Sequence, residues 1–330
     1  MGLPLTDVRG APGSAPGAAE SLPEWIAGNR GWLRERLLEH GGVLFRGWLS
    51  GEPDEFEAFL DAAGAVPMRY LGGATPRSKV QGAVYTSTDA PPAIPIPFHN
   101  EMSYSPEYPR AVAFCCKRPA PYRGRTPLSD SRAVYEDLPD GLRERFESLG
   151  VSYDRHVPEK TRVRGRKTWP EMFETDDRDE VERICAERGI DAGWEDGSLR
   201  LRVVRPAAIE HPDTGDRIWF NQVNLYHHSF SSELRRSRRF LLAGGLRLLE
   251  ALLGPRAPGL GMEVRYGDGS PIPRETVERI RDAYWRQMAV FPWEKGDLLV
   301  LDNLRIAHAR EPYVGRRQLH ASLIREWEEE

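Results

Sequence analysis

The 330-residue sequence predicts a mainly β chain surrounded by helices, of sandwich or barrel architecture. Three observations carry that expectation. Short β-rich pieces recur along the chain: AVAFCC, LRLRVV, DRIWFN, DLLVLDN and QLHASLIRE. Gly and Pro turn signals separate them. Their loose spacing lacks the regular strand–helix alternation of a parallel, doubly wound sheet. With 40% hydrophobic residues, the chain can bury a sizeable core, as one large domain or two ordinary ones.

In chain order, residues 1–21 are expected to form a flexible leader, because Gly, Ala, Pro and Ser dominate from residue 9. Order is expected to begin near Leu22. SLPEWIAGNRGWLRERLLEHGG supplies a Ser N-cap, a Pro in the first turn, apolar residues at helical spacing and a Gly-Gly stop, so a helix feeds the strand VLFRG. EPDEFEAFLDAAG, AVYEDLPDGLRERFESLG, DRDEVERICAERG and RETVERIRDAYWRQMAV each place apolar residues three and four apart and read as helices. The Arg-rich and acidic stretch from about Pro158 to Asp196 breaks the strand pattern. It reads as an insertion or lid containing a helix, with its charges on a solvated surface. No internal repeat is present.

Composition narrows the function. The 46 basic and 50 acidic residues give a net charge of −4, with no basic surplus to argue for nucleic acid, so small molecules or proteins are the expected partners. No apolar run approaches the roughly 18 residues of a membrane span, and the first residues lack a basic n-region and an apolar h-region. A soluble, cytoplasmic protein is expected, with its oligomeric state open. Cys115, Cys116 and Cys185 are an odd count without disulfide or zinc spacing, and read as reduced, buried thiols.

The chemistry starts at IPFHNEMSYSPEYP. His99 and Glu101 stand two apart, so on an extended strand both side chains face the same way and could address one cation. By itself the pair is weak, because surface pairs of this kind are common. GDLLVLDNLRIAHAREPYVGRRQLHASLIRE adds a buried-looking strand, a turn with Asp302 and Asn303 as turn-formers, and then His308. Two imidazoles and a carboxylate on a β scaffold form the facial triad, which leaves positions open on Fe(II). An arginine nearby suits the distal carboxylate of a chelating 2-oxo acid. On residue types alone, the same ligands could hold Zn2+ and a water in a hydrolase or isomerase, or persist in a catalytically silent binding protein.

FHNEMSY, GRTPLSDSR, LDNLRIAHAREPY and GRRQLH, in that order, resemble the taurine dioxygenase and clavaminate synthase-like group of Fe(II)- and 2-oxoglutarate-dependent oxygenases. The resemblance covers roughly residues 30 to 327. YTSTDAPPAIPIPFHNEMSY is most similar to the natural-product hydroxylases typified by the syringomycin-biosynthesis enzyme. It implies a double-stranded β-helix (jelly roll) core in one oxygenase domain over residues 22–330. It makes His99, Glu101 and His308 the iron ligands, and gives Thr126 and Arg317 the C5 carboxylate of 2-oxoglutarate. O2 would be the other co-substrate. The implied reaction is attack on an unactivated C–H bond of an amino acid, free, peptidyl or carrier-bound, with hydroxylation first and desaturation, cyclisation or epoxidation as alternatives. Halogenating relatives replace the carboxylate ligand by a small residue, and Glu101 argues against that chemistry. The second arginine that grips a sulfonate in taurine dioxygenases corresponds to Ala321, which removes the main anchor for such a substrate.

Other residues have two readings. Asn221 and Gln222 in RIWFNQVNLYHHSF either line the substrate pocket or serve buried backbone. Thr86 and Ser87 in YTSTD either touch substrate or satisfy local backbone. His227 and His228 lack a carboxylate two residues away and are not expected as ligands. Of the adjacent Arg316 and Arg317, strand alternation lets only one point inward, and the motif register selects Arg317; His320 then falls on the opposite face, packed or at the surface.

Overall fold

The structure is a computed structural model that describes residues 5–9, 21–68, 77–161, 167–253 and 262–328. At its centre two β-sheets face each other, in keeping with the jelly-roll expectation. The large sheet runs in the order Thr6–Arg9, Gly42–Arg46, Leu298–Asp302, Ala111–Arg118, Gln318–Trp327, Val84–Thr86 and Lys79–Gln81, and Ala65–Pro67 also pairs with Gln318–Trp327. The small sheet sets Ile306–Arg310 between Ile96–His99 and Leu128–Asp130. C-terminal strands thus lie against strands near residue 100 in both sheets. Among the described residues the two sheets stay separate and do not close into one barrel.

The continuous apolar run at Ala111–Arg118 arises because both faces of the strand are covered. Val112, Phe114 and Cys116 point between the sheets, where they meet Leu299, Leu301, Leu319 and Leu323 of the large sheet and Leu128 and Ile306 of the small one. Ala111, Ala113 and Cys115 point the other way, onto Leu22, Ile26, Leu33, Leu37, Phe56 and Phe59 of the N-terminal helices. Each such buried Leu or Phe contributes about 1.5–3 kcal/mol relative to an exposed one. The outer face of the small sheet, through Phe98, Ala307 and Ala309, packs on Val134, Trp219, Val223 and Tyr284. Phe98 and Tyr284 stack at 5.5 Å. The site between the sheets is therefore walled by core on both sides.

Several sequence expectations need correction. The predicted first helix is two, Leu22–Ala27 and Arg30–His40, because Gly28 ends the first turn sequence and the Asn29 side chain donates to Trp25 O at 2.7 Å. The expected cap is present, with Ser21 and Glu24 in a capping box, and Gly41 at φ +83° closes the second helix. Pro139 likewise divides AVYEDLPDGLRERFESLG into Ser131–Asp137 and Asp140–Leu149. Order starts before Leu22, since Thr6–Arg9 forms a parallel edge strand on Gly42–Arg46; residues 10–20 of the expected leader lie outside the described residues. The helix Phe240–Leu253 was not anticipated.

The excursion at about 158–196 holds two helices, Trp169–Phe173 and Arg178–Glu187, and the strand Asp191–Glu195. That strand extends a four-stranded sheet through Ser198–Arg205, Val151–Val157 and Met262–Tyr266. Residues 162–166 lie outside the described residues. Among the described residues no helix is long and apolar enough to cross a membrane.

The three cysteines are free and buried, as expected. Burial pushes the Cys115 and Cys116 thiols up to about 12 and Cys185 up to about 11. Only about one thiol in a thousand, or fewer, is then ionised at pH 8. Native protein at that pH should resist iodoacetamide, whereas protein unfolded in urea should take up three adducts per chain by mass spectrometry. Prompt labelling of native Cys115 would contradict the burial.

Candidate active site

The ligand-bearing strands meet edge to edge: His308 is the register partner of His99 in the small sheet. Their ring centroids lie 4.3 Å apart. Glu101 Oε2 is 3.9 Å from His99 Nε2 and 4.0 Å from His308 Nε2. One ligand atom from each residue falls within 4.8 Å of the others, and all three residues are buried. His99 Nδ1 lies 2.9 Å from Pro97 O, which fits an Nδ1–H donor and turns Nε2 toward the carboxylate. Burial holds both imidazoles below their usual range, His308 well below it with the neighbouring His99 as the next cause. Neutral imidazole is the form that ligates a metal, so this donor set suits a divalent ion of mixed nitrogen and oxygen preference.

The reason for the pairing differs from the sequence expectation. The strand ends at His99, and Glu101 sits in the turn that follows, with Met102 at φ +56°. Amide side chains, not strand alternation, hold that turn. Asn303 Oδ1 accepts from Glu101 N at 2.6 Å, and its Nδ2 donates to Glu101 O at 3.0 Å and to Pro109 O at 2.8 Å. Gln222 Nε2 donates to Asn100 O, and Asn224 Nδ2 to Phe98 O, each at 2.7 Å. Both carbonyls flanking His99 are thereby fixed. The fully buried Arg281 anchors the support in turn, donating to Asn224 O at 2.8 Å and pairing with Glu233 at 3.2 Å.

At the other end of the cavity Arg317 Nε donates to Gly124 O at 2.9 Å and Nη2 to Thr126 Oγ1 at 3.3 Å. Gly124, at φ +72°, permits this approach, because a Cβ there would stand 3.2 Å from Arg317 Cδ. Trp293 Nε1 also donates to Thr126 Oγ1, at 2.9 Å, which leaves the Thr126 O–H to donate to an incoming anion. Burial, then the Arg310 charge, brings Arg317 down to about 10, so it stays a cation at neutral pH. Among the described residues no carboxylate pairs with Arg317 or Arg310. Arg310 is spent on the carbonyls of Ala90, Pro91 and Ile94, at 2.9, 2.7 and 2.6 Å, and so fixes the proline-rich wall. The space between these side chains is narrow, about 40 Å³, and is lined by Ser87, Thr88, His99, Phe114, His308 and Arg317.

Arg316 is exposed and Arg317 turns inward, although both precede the strand that begins at Gln318. His320 is packed, paired in register with Cys115 and Thr86. Ala321 is buried between the sheets opposite Phe114 and Tyr85. Asn221 does not line the pocket: it bonds Ala207 O and Val223 N. Gln222 serves the ligand turn, and Thr86 bonds Ser78 N and Asp89, whereas Ser87 and Thr88 line the cavity. His227 sits between Ser229 and Ile272 O, held down to about 3 by burial and by His228. Asp302 forms the expected turn and also pairs with His211 at 2.8 Å. The roles of Trp293, Asn224, Asn303 and Arg310 carry little local sequence signal; only the amide of DNLR and the proline-rich APPAIPIP, whose carbonyls Arg310 holds, mark the places.

Three ligands leave half the positions of an octahedral ion open, and the stranded guanidinium alongside asks for an anion, so the site suits an ion that binds an anionic co-substrate and O2 together. That is the arrangement of the Fe(II)- and 2-oxoglutarate-dependent dioxygenases. The chain belongs to the taurine catabolism dioxygenase TauD, TfdA family, whose profile matches residues 7–323. Dapdiamide synthesis protein DdaC of Enterobacter agglomerans is 32% identical over 293 residues, covering 88% of this chain and 84% of that protein. A clavaminate synthase-like protein of Arabidopsis thaliana is 30% identical over 325 residues, covering 94% and 91%. The fold is shared with PvcB of Pseudomonas aeruginosa (TM-score 0.53, 16% identity, 97% and 84% covered). It is also shared with AAD-2 in complex with Mn(II) and N-oxalylglycine (TM-score 0.53, 12% identity, 94% and 92% covered). The protein is thus a 2-oxoglutarate-dependent dioxygenase that uses iron.

The amide support makes a prediction. Gln222→Leu should keep the far-UV circular dichroism of the parent and weaken Co(II) binding about 10- to 100-fold, the usual penalty for losing a group that orients a ligand. Unchanged affinity in a Co(II) titration would show that the turn holds without it.

Proposed function

We propose that His99, Glu101 and His308 hold the iron, and that Thr126 and Arg317 hold the C5 carboxylate of 2-oxoglutarate. The enzyme then hydroxylates an unactivated C–H bond of an amino acid, free, in a peptide or on a carrier protein, or of a related natural-product intermediate. The observation that carries this reading is the convergence of the three ligand atoms within 4.8 Å, on the same cavity as Arg317. Bound iron and keto acid supply the oxidising power, with O2 consumed and succinate and CO2 released. The chain's own residues bind, orient and exclude. Phe114, edge-on to His308 at 5.1 Å, and Leu319 give the ligand side an apolar wall. The kinship to a protein named for dapdiamide synthesis supports a natural-product role.

Ala321 supports a substrate other than a sulfonate, since the position that would carry the second arginine is filled by core. Desaturation, cyclisation and epoxidation use the same residues and differ only in the product. We read residues 22–330, with the edge strand Thr6–Arg9, as one oxygenase domain, and the excursion at about 158–196 as its lid.

Succinate release should require Fe(II), O2 and 2-oxoglutarate together, and a screen of amino acids should find one that raises it and gains one oxygen atom by mass. Arg317→Ala should raise the KM for 2-oxoglutarate about 10- to 100-fold, the loss of a charge-assisted, two-pronged contact. Glu101→Ala should abolish turnover. Substrate conversion under nitrogen without 2-oxoglutarate would refute the reading.

A further inference from the structure

The hydroxyl proton of Thr126 has one use left to it. Thr126 Oγ1 accepts from Trp293 Nε1 at 2.9 Å and from Arg317 Nη2 at 3.3 Å. Indole and guanidinium nitrogens only donate, so the two bonds occupy both lone pairs of the oxygen. The O–H must then donate, yet among the described residues it meets no acceptor, although Thr126 is only 4% exposed. A buried donor left without an acceptor is costly, and an acceptor brought by a ligand relieves it.

The fold fixes this arrangement before any ligand arrives. The peptides on either side of Thr126 are tied to the strand that carries His308 and to its exit: Ala309 N donates to Pro127 O at 2.8 Å, and Glu311 N to Arg125 O at 3.2 Å. Trp293 lies on a segment joined to the next strand by the reciprocal bonds of Leu128 and Ala289, 2.8 Å each, and held by Arg46, which donates to Pro292 O. The indole is buried and stands edge-on to Phe291 at 4.9 Å. Packed in this way, it keeps its N–H on Thr126, and the hydroxyl stays a donor.

We propose that Trp293 is a positioning residue which, through Thr126, selects a keto acid whose far end only accepts hydrogen bonds, a carboxylate. The proposal rests on the reading above, in which Thr126 and Arg317 take the C5 carboxylate of 2-oxoglutarate. With the indole N–H in place, hydroxyl and guanidinium both donate, and one carboxylate satisfies the two together. Without it a lone pair is freed, the hydroxyl can rotate, and its proton is no longer directed at the anion. Trp293 acts on Thr126 and does not itself line the space between the imidazoles and Arg317.

The test uses full-length protein loaded with Co(II) and titrated by calorimetry with two ligands: N-oxalylglycine, a keto-acid mimic that has the distal carboxylate, and N-methyloxamate, which lacks it. Trp293→Phe, which keeps an aromatic ring against Phe291, should weaken N-oxalylglycine about three- to tenfold, the weight of one neutral hydrogen bond, and leave N-methyloxamate unchanged. Thr126→Val should weaken N-oxalylglycine at least as much. Adding Trp293→Phe to Thr126→Val should then cost no more than about twofold further, because the two side chains act as one unit. Trp293→Met, a flexible apolar filler, repeats the measurement if the Phe variant does not fold. Equal losses for both ligands, no loss for N-oxalylglycine, or a full Trp293→Phe cost that persists in the Thr126→Val background overturns the proposal and leaves the indole a packing group. N-oxalylglycine binding unaffected by Thr126→Val overturns the co-substrate assignment itself, and the proposal with it.

Discussion

The site depends on one side-chain amide, that of Asn303, closing both hydrogen-bonding groups of the Glu101 peptide. A buried backbone group left unpaired costs about 1–3 kcal/mol, and the turn carries two at the residue that must present a carboxylate. The following residue, Met102, sits at positive φ, a conformation that costs about 1–3 kcal/mol and persists only where neighbours dictate it. Asn303 can dictate it because it directly follows the strand Leu298–Asp302, locked into the large sheet on both edges. A sheet held on both edges thereby sets the position of the Glu101 carboxylate, the proposed ligand, 202 residues away in sequence.

The second constraint is electrostatic. Two histidines are kept neutral by burial, while arginines are kept charged at a similar depth, because imidazole titrates near neutrality and guanidinium far above it. The same cavity thus holds neutral imidazoles at one end and charged guanidiniums at the other, as the proposed metal and anion sites require. Carbonyl groups from Gly124 and from the wall at Ala90, Pro91 and Ile94 hold the guanidiniums without neutralising them. Their charge remains available to ligands.

Much of this was legible in the sequence, and the illegible parts share a cause. His99, Glu101, His308 and Arg317 could be picked out because each has a residue type suited to one chemical task and stands in a recognisable string. The run AVAFCC announced a strand covered on both faces. What could not be read was which amides serve the backbone. Asn221 and Gln222 look identical as pocket residues and as backbone partners, and the choice is made by chain segments 14 and 122 residues away, at Ala207 and Asn100; for Thr86 it is made locally, by Ser78 and Asp89. Glu101 was paired with His99 for the wrong reason, since period-two alternation holds only while the strand lasts, and a turn held by distant contacts gives no local signal. The helix breaks at Gly28 and Pro139 were visible as residues, but periodicity on either side outweighed them.

The excursion between Val157 and Ser198 carries its own apolar centre. Trp169, Met172, Phe173, Val181 and Cys185 close on Val157, Leu199 and Leu201 and contribute to none of the clusters that fill the sandwich. Its apolar centre is therefore separate from the packing that supports the ligand turn, which it meets through the Arg188–Glu107 ion pair at 3.2 Å. A lineage acquiring a new substrate could change shape here at little thermodynamic penalty to the scaffold, with the oxidative chemistry inherited intact.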